Sequence, residues 1–226
     1  MAARCLLYYI TDRSQFSGDE PARRRALLAK IAEATRAGID YIQLREKDLD
    51  TKELEVLARE AVSSVRHNAI LKANTGEIGT RILINSRTDV ALVTGADGVH
   101  LRGDDISPDE VRFVLKGSAI GAEHFLVAVS CHSIEDVRRA EAAASFAVFG
   151  PVFEKKTAKK STPANRPVGI DALREACRAT IPVLALGGVT IEYAALCLEA
   201  GAAGVAGIRL FQDNKIEDVV RALRTF

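Results

Sequence analysis

Residues 181–211 read IPVLALGGVTIEYAALCLEAGAAGVAGIRLF. The apolar run Val183–Leu186 breaks at Gly187-Gly188, passes into a segment of helical period, meets another glycine and rises into a second apolar run ending at Gly207-Ile208-Arg209. That order is strand, glycine turn, helix, strand, glycine turn. In (β/α)8 barrels the loops after the seventh and eighth strands often hold a phosphate, because glycine lets backbone N–H groups approach an anion and a short helix aims its N-terminus at it. Arg209 adds a fixed positive charge to the second turn. If this pair closes a series of eight units, the chain is a barrel that handles a phosphorylated ligand.

The series can be counted backwards from there. Short β-branched or aromatic runs stand at 5–10, 41–44, 82–85, 98–101, 126–130, 146–150, 183–186 and 204–207. Between them lie segments of helical pattern at 21–37, 52–67, 87–94, 108–116, 134–143, 169–178, 191–200 and 216–224. Regular alternation argues for parallel strands joined by crossover helices, and eight of each favours closure over an open sheet. The fold class is therefore α/β, a (β/α)8 TIM barrel forming one domain over 1–226. The phrases AGID, GADG and AGAAG each end a helix just before a strand, where glycine supplies the left-handed turn.

Composition agrees with that size. A chain of 226 residues, 48% hydrophobic and 27% charged, suits one domain with a sizeable core. A net charge of +1 gives no overall field for nucleic acid or an anionic membrane, so neither is expected as a partner and an anion must be held locally. Cys5, Cys131, Cys177 and Cys197 are far apart and form no C-x-x-C, which argues against a disulfide framework and for reduced, cytoplasmic thiols. The opening MAARCLLYYITDR has too short an apolar run for a signal peptide or a spanning helix, so a soluble, unexported protein is expected.

Three segments exceed a minimal unit. Residues 68–80 and 117–125 precede strands and read as surface insertions at the barrel's N-terminal face. Residues 151–167, PVFEKKTAKKSTPANRP, follow a strand and so belong at the catalytic face, where a long basic, hydroxyl-rich loop is a candidate lid.

Functional side chains of a barrel come from strand C-terminal ends. Strand alternation puts Gln43, Arg45 and Lys47 on one side if the extended conformation continues, and an amide with two cations suits a polyphosphate and a hydrogen-bonding ring; a solvated charged loop is the alternative. Asn85 ends the third run. Asp104 and Asp105 follow the fourth, placed either to hold Mg²⁺ beside a pyrophosphate or to cap the next helix. His100 ends the fourth run and carries a weaker claim. Ser130 ends the fifth, and His132 beyond it is positioned either for proton transfer or as a neighbour of the Ser133 helix cap.

Taken together, QLREK, ILINSRTDVAL, GADGVHL, VSCHS, FGPVFE, LALGGVT and GAAGVAGI stand in an order that resembles the thiamine phosphate synthase/TenI superfamily. The resemblance runs from Tyr9 to Phe211 and implies a (β/α)8 barrel. It further implies a transferase that joins hydroxymethylpyrimidine pyrophosphate to thiazole phosphate with Mg²⁺ and releases pyrophosphate. By motif, Gln43, Arg45 and Lys47 match pyrimidine-pyrophosphate contacts, Asn85 the asparagine of an N-D pair and Asp105 the second metal-binding aspartate. Ser130 matches a serine near both substrates. Gly187, Gly188, Gly207, Ile208 and Arg209 match the thiazole-phosphate cradle, and a homodimer through outer helices is implied at family level.

Two departures stand against the synthase pattern. Ser86 replaces the aspartate after the asparagine, removing one of two expected metal carboxylates. The strand-six loop reads Lys155-Lys156-Thr157-Ala158-Lys159 where the family has T-x-T-K, leaving Thr157 with Lys159 or Lys156 to make the pyrophosphate contacts. The TenI-type thiazole tautomerases of the same superfamily need no metal set, and in them the histidine matching His132 is the acid/base. A non-catalytic phosphate-binding barrel is the third reading.

Overall fold

The β-branched and aromatic runs form eight parallel strands, each paired with the next in chain order, and β1 pairs with β8 to close the sheet into a barrel. In this computed structural model, which describes residues 4–72, 79–116, 124–154 and 166–226, the strands are β1 (Leu6–Ile10), β2 (Tyr41–Leu44), β3 (Arg81–Asn85), β4 (Gly98–Leu101), β5 (Leu126–Cys131), β6 (Phe146–Phe149), β7 (Val183–Leu186) and β8 (Gly204–Gly207). Helices α1 (Glu20–Ala37), α2 (Thr51–Lys72), α3 (Thr88–Thr94), α4 (Pro108–Leu115), α5 (Ile134–Ala140), α6 (Gly169–Ala176) and α7 (Ile191–Glu199) follow the first seven strands in turn. After β8 come the short α8 (Arg209–Gln212) and α9 (Ile216–Leu223).

Local chemistry sets the boundaries. Asp19 accepts from the Ala22 N–H at the start of α1, and Gly38, at φ 86°, ends that helix in the left-handed conformation by donating to Ala34 and Thr35. Ser107 with Glu110, and Ser133 with Asp136, form reciprocal capping boxes on α4 and α5. The expected helix at 134–143 stops sooner, at Ala140. Segment 68–80 is not wholly an insertion, since α2 continues to Lys72. Two short elements escape the periodicity altogether: a 3₁₀ turn at Arg13–Gln15 and α8.

Strand alternation divides the apolar residues into two bodies. Leu7, Tyr9, Ile42, Leu44, Ile82 and Ile84 face the helices, whereas Tyr8, Ile10, Leu83, Ala128, Phe146, Val148, Leu184 and Ala206 fill the barrel. Three rings block the interior: Tyr41 stacks on Phe146 at 4.9 Å between centroids, and Tyr8 meets them edge-on at 6.0 and 5.5 Å. One pleat nearer the strand C-termini, the inward positions after Tyr41, Leu83, Gly98 and Ala128 are Gln43, Asn85, His100 and Ser130. The interior thus changes from apolar to polar toward the rim.

Gly204 allows β1 and β8 to meet. A Cβ there would lie 2.0 Å from the Leu6 carbonyl oxygen. Gly204→Ala should therefore destabilise the fold by about 1–3 kcal/mol or more, read as a lower urea midpoint; an unchanged midpoint would show that the closing strands tolerate separation.

Candidate active site

The polar rim is hydrogen-bonded across strands. Gln43 Nε2 donates to Asn85 Oδ1 at 2.8 Å, and Asn85 Nδ2 donates to Ser86 Oγ at 3.0 Å. Ser86 sits at φ 62°, a left-handed conformation uncommon for a residue with a side chain, so the β3 end is bent sharply. On the adjacent strand, in register with Asn85, His100 is buried with both ring nitrogens engaged, Nδ1 with Tyr8 Oη at 2.9 Å and Nε2 with Ser130 Oγ at 2.8 Å. Burial, followed by the nearby Arg45 charge, lowers the His100 pKa from 6.5 to about 3. The imidazole is neutral at any ordinary pH.

Beyond Leu44 the extended conformation ends, contrary to the condition under which Gln43, Arg45 and Lys47 share a strand face. The three nevertheless gather at one rim. Gln43 points into the barrel, Arg45 is half-buried and Lys47 is exposed. Burial lowers the Arg45 pKa, opposed by Asp12 and Glu46 and aided by Arg102, while Arg45 is the first cause of a lowered Lys47 pKa. Among the described residues no carboxylate stands within ion-pair distance of either cation. Asp12 with Glu46 acts on Arg45, and Asp104 with Asp12 on Lys47, only from beyond ion-pair distance, so two mutually repelling cations without a direct partner mark a place where an anion is favoured.

This turn is held by residues that the sequence alone did not single out. Glu46, between the two cations, points away from the barrel mouth and is buried: it accepts from Thr11 Oγ1 at 2.5 Å and from Arg13 N at 2.9 Å, and pairs with Arg13 Nη1 at 3.2 Å. The Arg13 guanidinium also takes Asp48 and Glu20. Thr11 Oγ1 in turn accepts from the Arg45 N–H at 3.0 Å. The signal available was the polar run Thr11-Asp12-Arg13 directly after β1, at a strand C-terminal end.

After β4, Asp104 pairs with Arg102, and Asp105 Oδ2 accepts from the Arg102 N–H at 2.7 Å. Neither caps α4, whose cap is Ser107, so that alternative falls away. Asp105 keeps one carboxylate oxygen free of hydrogen bonds among the described residues. His132 is exposed; its ring Nδ1 donates to the Gly150 carbonyl at 2.6 Å and its backbone N–H to Asp136, so it is fastened between the β5 and β6 ends. Cap neighbour and rim residue are both true of it.

Gly187 and Gly188 have φ 92° and 66°. Their lack of a side chain has a packing cause: a Cβ on Gly188 would lie 2.7 Å from Phe153 Cβ and 2.8 Å from its carbonyl oxygen. The start of the expected lid is accordingly fixed, with Val152 and Phe153 N–H groups donating to Leu186 and Gly187 at 2.7 and 3.0 Å. Among the described residues, the N–H groups of Gly188, Ile208 and Arg209 meet no acceptor. Gly207 ends β8, Ile208 packs toward the interior, and Arg209 opens α8 with an exposed side chain and, among the described residues, no ion pair. Thr157, Lys159 and Lys156 lie outside the described residues.

The thiamine monophosphate synthase family model matches residues 7–211. A candidate thiamine-phosphate synthase of Geobacter sulfurreducens is 42% identical over 220 residues, covering 96% of this chain and 92% of the relative. The thiamine-phosphate synthase of Syntrophomonas wolfei is 33% identical over 220 residues, covering 96% and 94%. Among solved structures, a thiamine phosphate pyrophosphorylase from Pyrococcus furiosus superposes with a TM-score of 0.75 at 24% identity, covering 99% of this chain and 95% of that one, which supports the fold.

The buried imidazole makes stability depend on pH. His100 binds no proton in the folded state until about pH 3 but regains its ordinary 6.5 on unfolding, so its contribution is full above 6.5 and is lost as pH falls toward 3. Between pH 6.5 and 5 the unfolding free energy should drop with a slope approaching about 1.4 kcal/mol per pH unit from this group. The slope should flatten in His100→Gln. Identical slopes in urea titrations of the two proteins would show His100 to be solvated.

Proposed function

The chain belongs to the thiamine monophosphate synthase family, and from that premise we propose that it joins hydroxymethylpyrimidine diphosphate to thiazole phosphate with release of diphosphate. The observation that carries this reading is the pair of neighbouring cations, Arg45 and Lys47, that form no ion pair among the described residues, at the rim above Gln43, Asn85 and Ser130. In the reaction the bond from the pyrimidine methylene carbon to the diphosphate oxygen breaks, the electron pair leaves with diphosphate, and the thiazole nitrogen supplies the pair for the new C–N bond. The barrier lies in leaving-group charge and in the cationic carbon, which fixed charges address without a general base.

Arg45 and Lys47 receive the diphosphate, Gln43 and Asn85 present amides to the pyrimidine edge, and Ser130 stands at the mouth between the two substrates. Open N–H groups of Gly188, Ile208 and Arg209 suit the thiazole phosphate, with the Arg209 guanidinium beside them. Both substrates are small phosphorylated molecules. Pairing of two barrels through outer helices is carried over from the family reading.

Magnesium suits the donors present. It binds through one or two carboxylates with waters and phosphate oxygens completing its shell, and Asp105 offers one uncommitted carboxylate oxygen while Asp104 is spent on Arg102. Asp105 would hold the ion, with the Ser86 hydroxyl on the neighbouring rim position where the family has a second carboxylate. When bound, it would neutralise charge on the departing diphosphate. A tautomerase reading draws on Ser86 and on His132, whose ring is anchored through Nδ1 and exposed elsewhere.

Purified protein given both substrates and Mg²⁺ should release diphosphate, and Arg45→Ala should lower kcat/KM by about 10- to 100-fold through loss of charge-assisted hydrogen bonds. No release with both substrates present, together with proton exchange on carboxythiazole phosphate that vanishes in His132→Asn, would move the assignment to the tautomerase. Ser86→Asp tests the metal reading separately. Aspartate tolerates the left-handed backbone, so the variant should fold and reach half-maximal rate at a lower Mg²⁺ concentration; an unchanged Mg²⁺ dependence would place the ion elsewhere.

A further inference from the structure

The hydrogen-bonded chain from Tyr8 through His100 to Ser130 has a direction, and the direction decides what Ser130 offers a ligand. Two arrangements fit the observed 2.9 and 2.8 Å separations. In the first, His100 Nδ1–H donates to Tyr8 Oη and Ser130 donates its hydroxyl proton to Nε2. Tyr8 must then place its own proton elsewhere. Its side chain is fully buried and its hydroxyl has no second hydrogen-bond partner among the described residues. A buried donor without an acceptor is disfavoured by roughly ten-fold or more in population.

In the second arrangement every buried proton is used. Tyr8 donates to Nδ1, the imidazole carries its proton on Nε2, and Nε2–H donates to Ser130 Oγ. The serine oxygen is then an acceptor from below, and its own proton is free to point from its half-buried position into the mouth. We infer that Tyr8 and His100 are a positioning pair that fixes Ser130 as a hydrogen-bond donor to an oxygen of the bound ligand, because no ring nitrogen is left to take the serine proton.

The inference rests on the proposed synthase reading only for what that ligand oxygen belongs to, namely a phosphate or diphosphate group. The nearby Arg45 charge favours the same class of acceptor, and it also opposes a second proton on the ring. The pair therefore stays a neutral, one-way relay while ligands of different charge come and go.

The tautomer can be read directly in the full chain labelled with ¹⁵N-histidine, by long-range ¹H–¹⁵N correlation at neutral pH. His100 should show a protonated Nε2 and an unprotonated Nδ1. A ring protonated on Nδ1 would overturn the inference even in an active enzyme, whereas a lack of synthase activity would leave it standing. In Tyr8→Phe the Nδ1 partner is gone, so the two tautomers should mix and inorganic diphosphate, measured by calorimetry with Mg²⁺, should bind about 3- to 10-fold more weakly. Retention of the pure Nε2–H form and of full diphosphate affinity in that variant would show that Tyr8 sets nothing.

Discussion

Closure of the sheet is the constraint from which the rest follows. Once β1 pairs with β8, every second residue of eight strands is committed to a space too narrow for water-filled disorder, and each such residue must be packed or hydrogen-bonded. The lower part of that space is satisfied by rings, Tyr8, Tyr41 and Phe146. The upper part is satisfied by a polar set, Gln43 with Asn85 and His100 with Ser130. Tyr8 belongs to both, since its ring packs in the aromatic layer and its hydroxyl reaches His100. The polar rim is thereby tied to the core through the Tyr8 side chain.

The cations above that rim need a different kind of support. Two like charges brought together repel, and their turn would splay unless something else held it. Glu46 supplies the hold from the outer side, taking Thr11, the Arg13 backbone and the Arg13 guanidinium, while Thr11 accepts from the Arg45 N–H. Arg13 shares its charge among Glu46, Asp48 and Glu20. A buried ion pair is weak evidence of net stability. Here its clearer effect is geometric, because it fixes the backbone on which Arg45 and Lys47 stand.

How far the sequence spoke depended on whether a feature was local. Strand positions followed from apolar runs, and four of them, at 41–44, 98–101, 183–186 and 204–207, fall on the observed residues because a glycine or a charged residue bounds them. Inward placement of Gln43 followed from period two, whereas Asn85 and Ser130 were legible only as the ends of their strands. The Tyr8–His100–Ser130 chain did not, since its members are 92 and 30 residues apart and meet only through closure. Glu46 was passed over for a related reason: lying between two residues of a promising motif, it faces away from them, and its partners come from β1's end. The glycines of the β7 turn were legible as a special backbone, yet the immediate cause, the close passage of Phe153, lies in another unit of the barrel.

The character of the rim bears on which chemistry suits it. A reaction that moves protons needs a group whose pKa lies near the working pH. The imidazole that projects into the barrel is the reverse of this, buried, bonded at both nitrogens and lowered to about 3. What the rim holds instead is cationic and polar: the half-buried Arg45 guanidinium, the exposed Lys47 ammonium, two amides and a serine hydroxyl whose partner is neutral. Such a set stabilises charge that develops on a departing group without exchanging protons with it. The other histidine at a strand end, His132, is fastened outside this set to the Gly150 carbonyl. On the synthase reading it has no proton to move, and its anchoring of the β5 end to the β6 end is sufficient reason for its place.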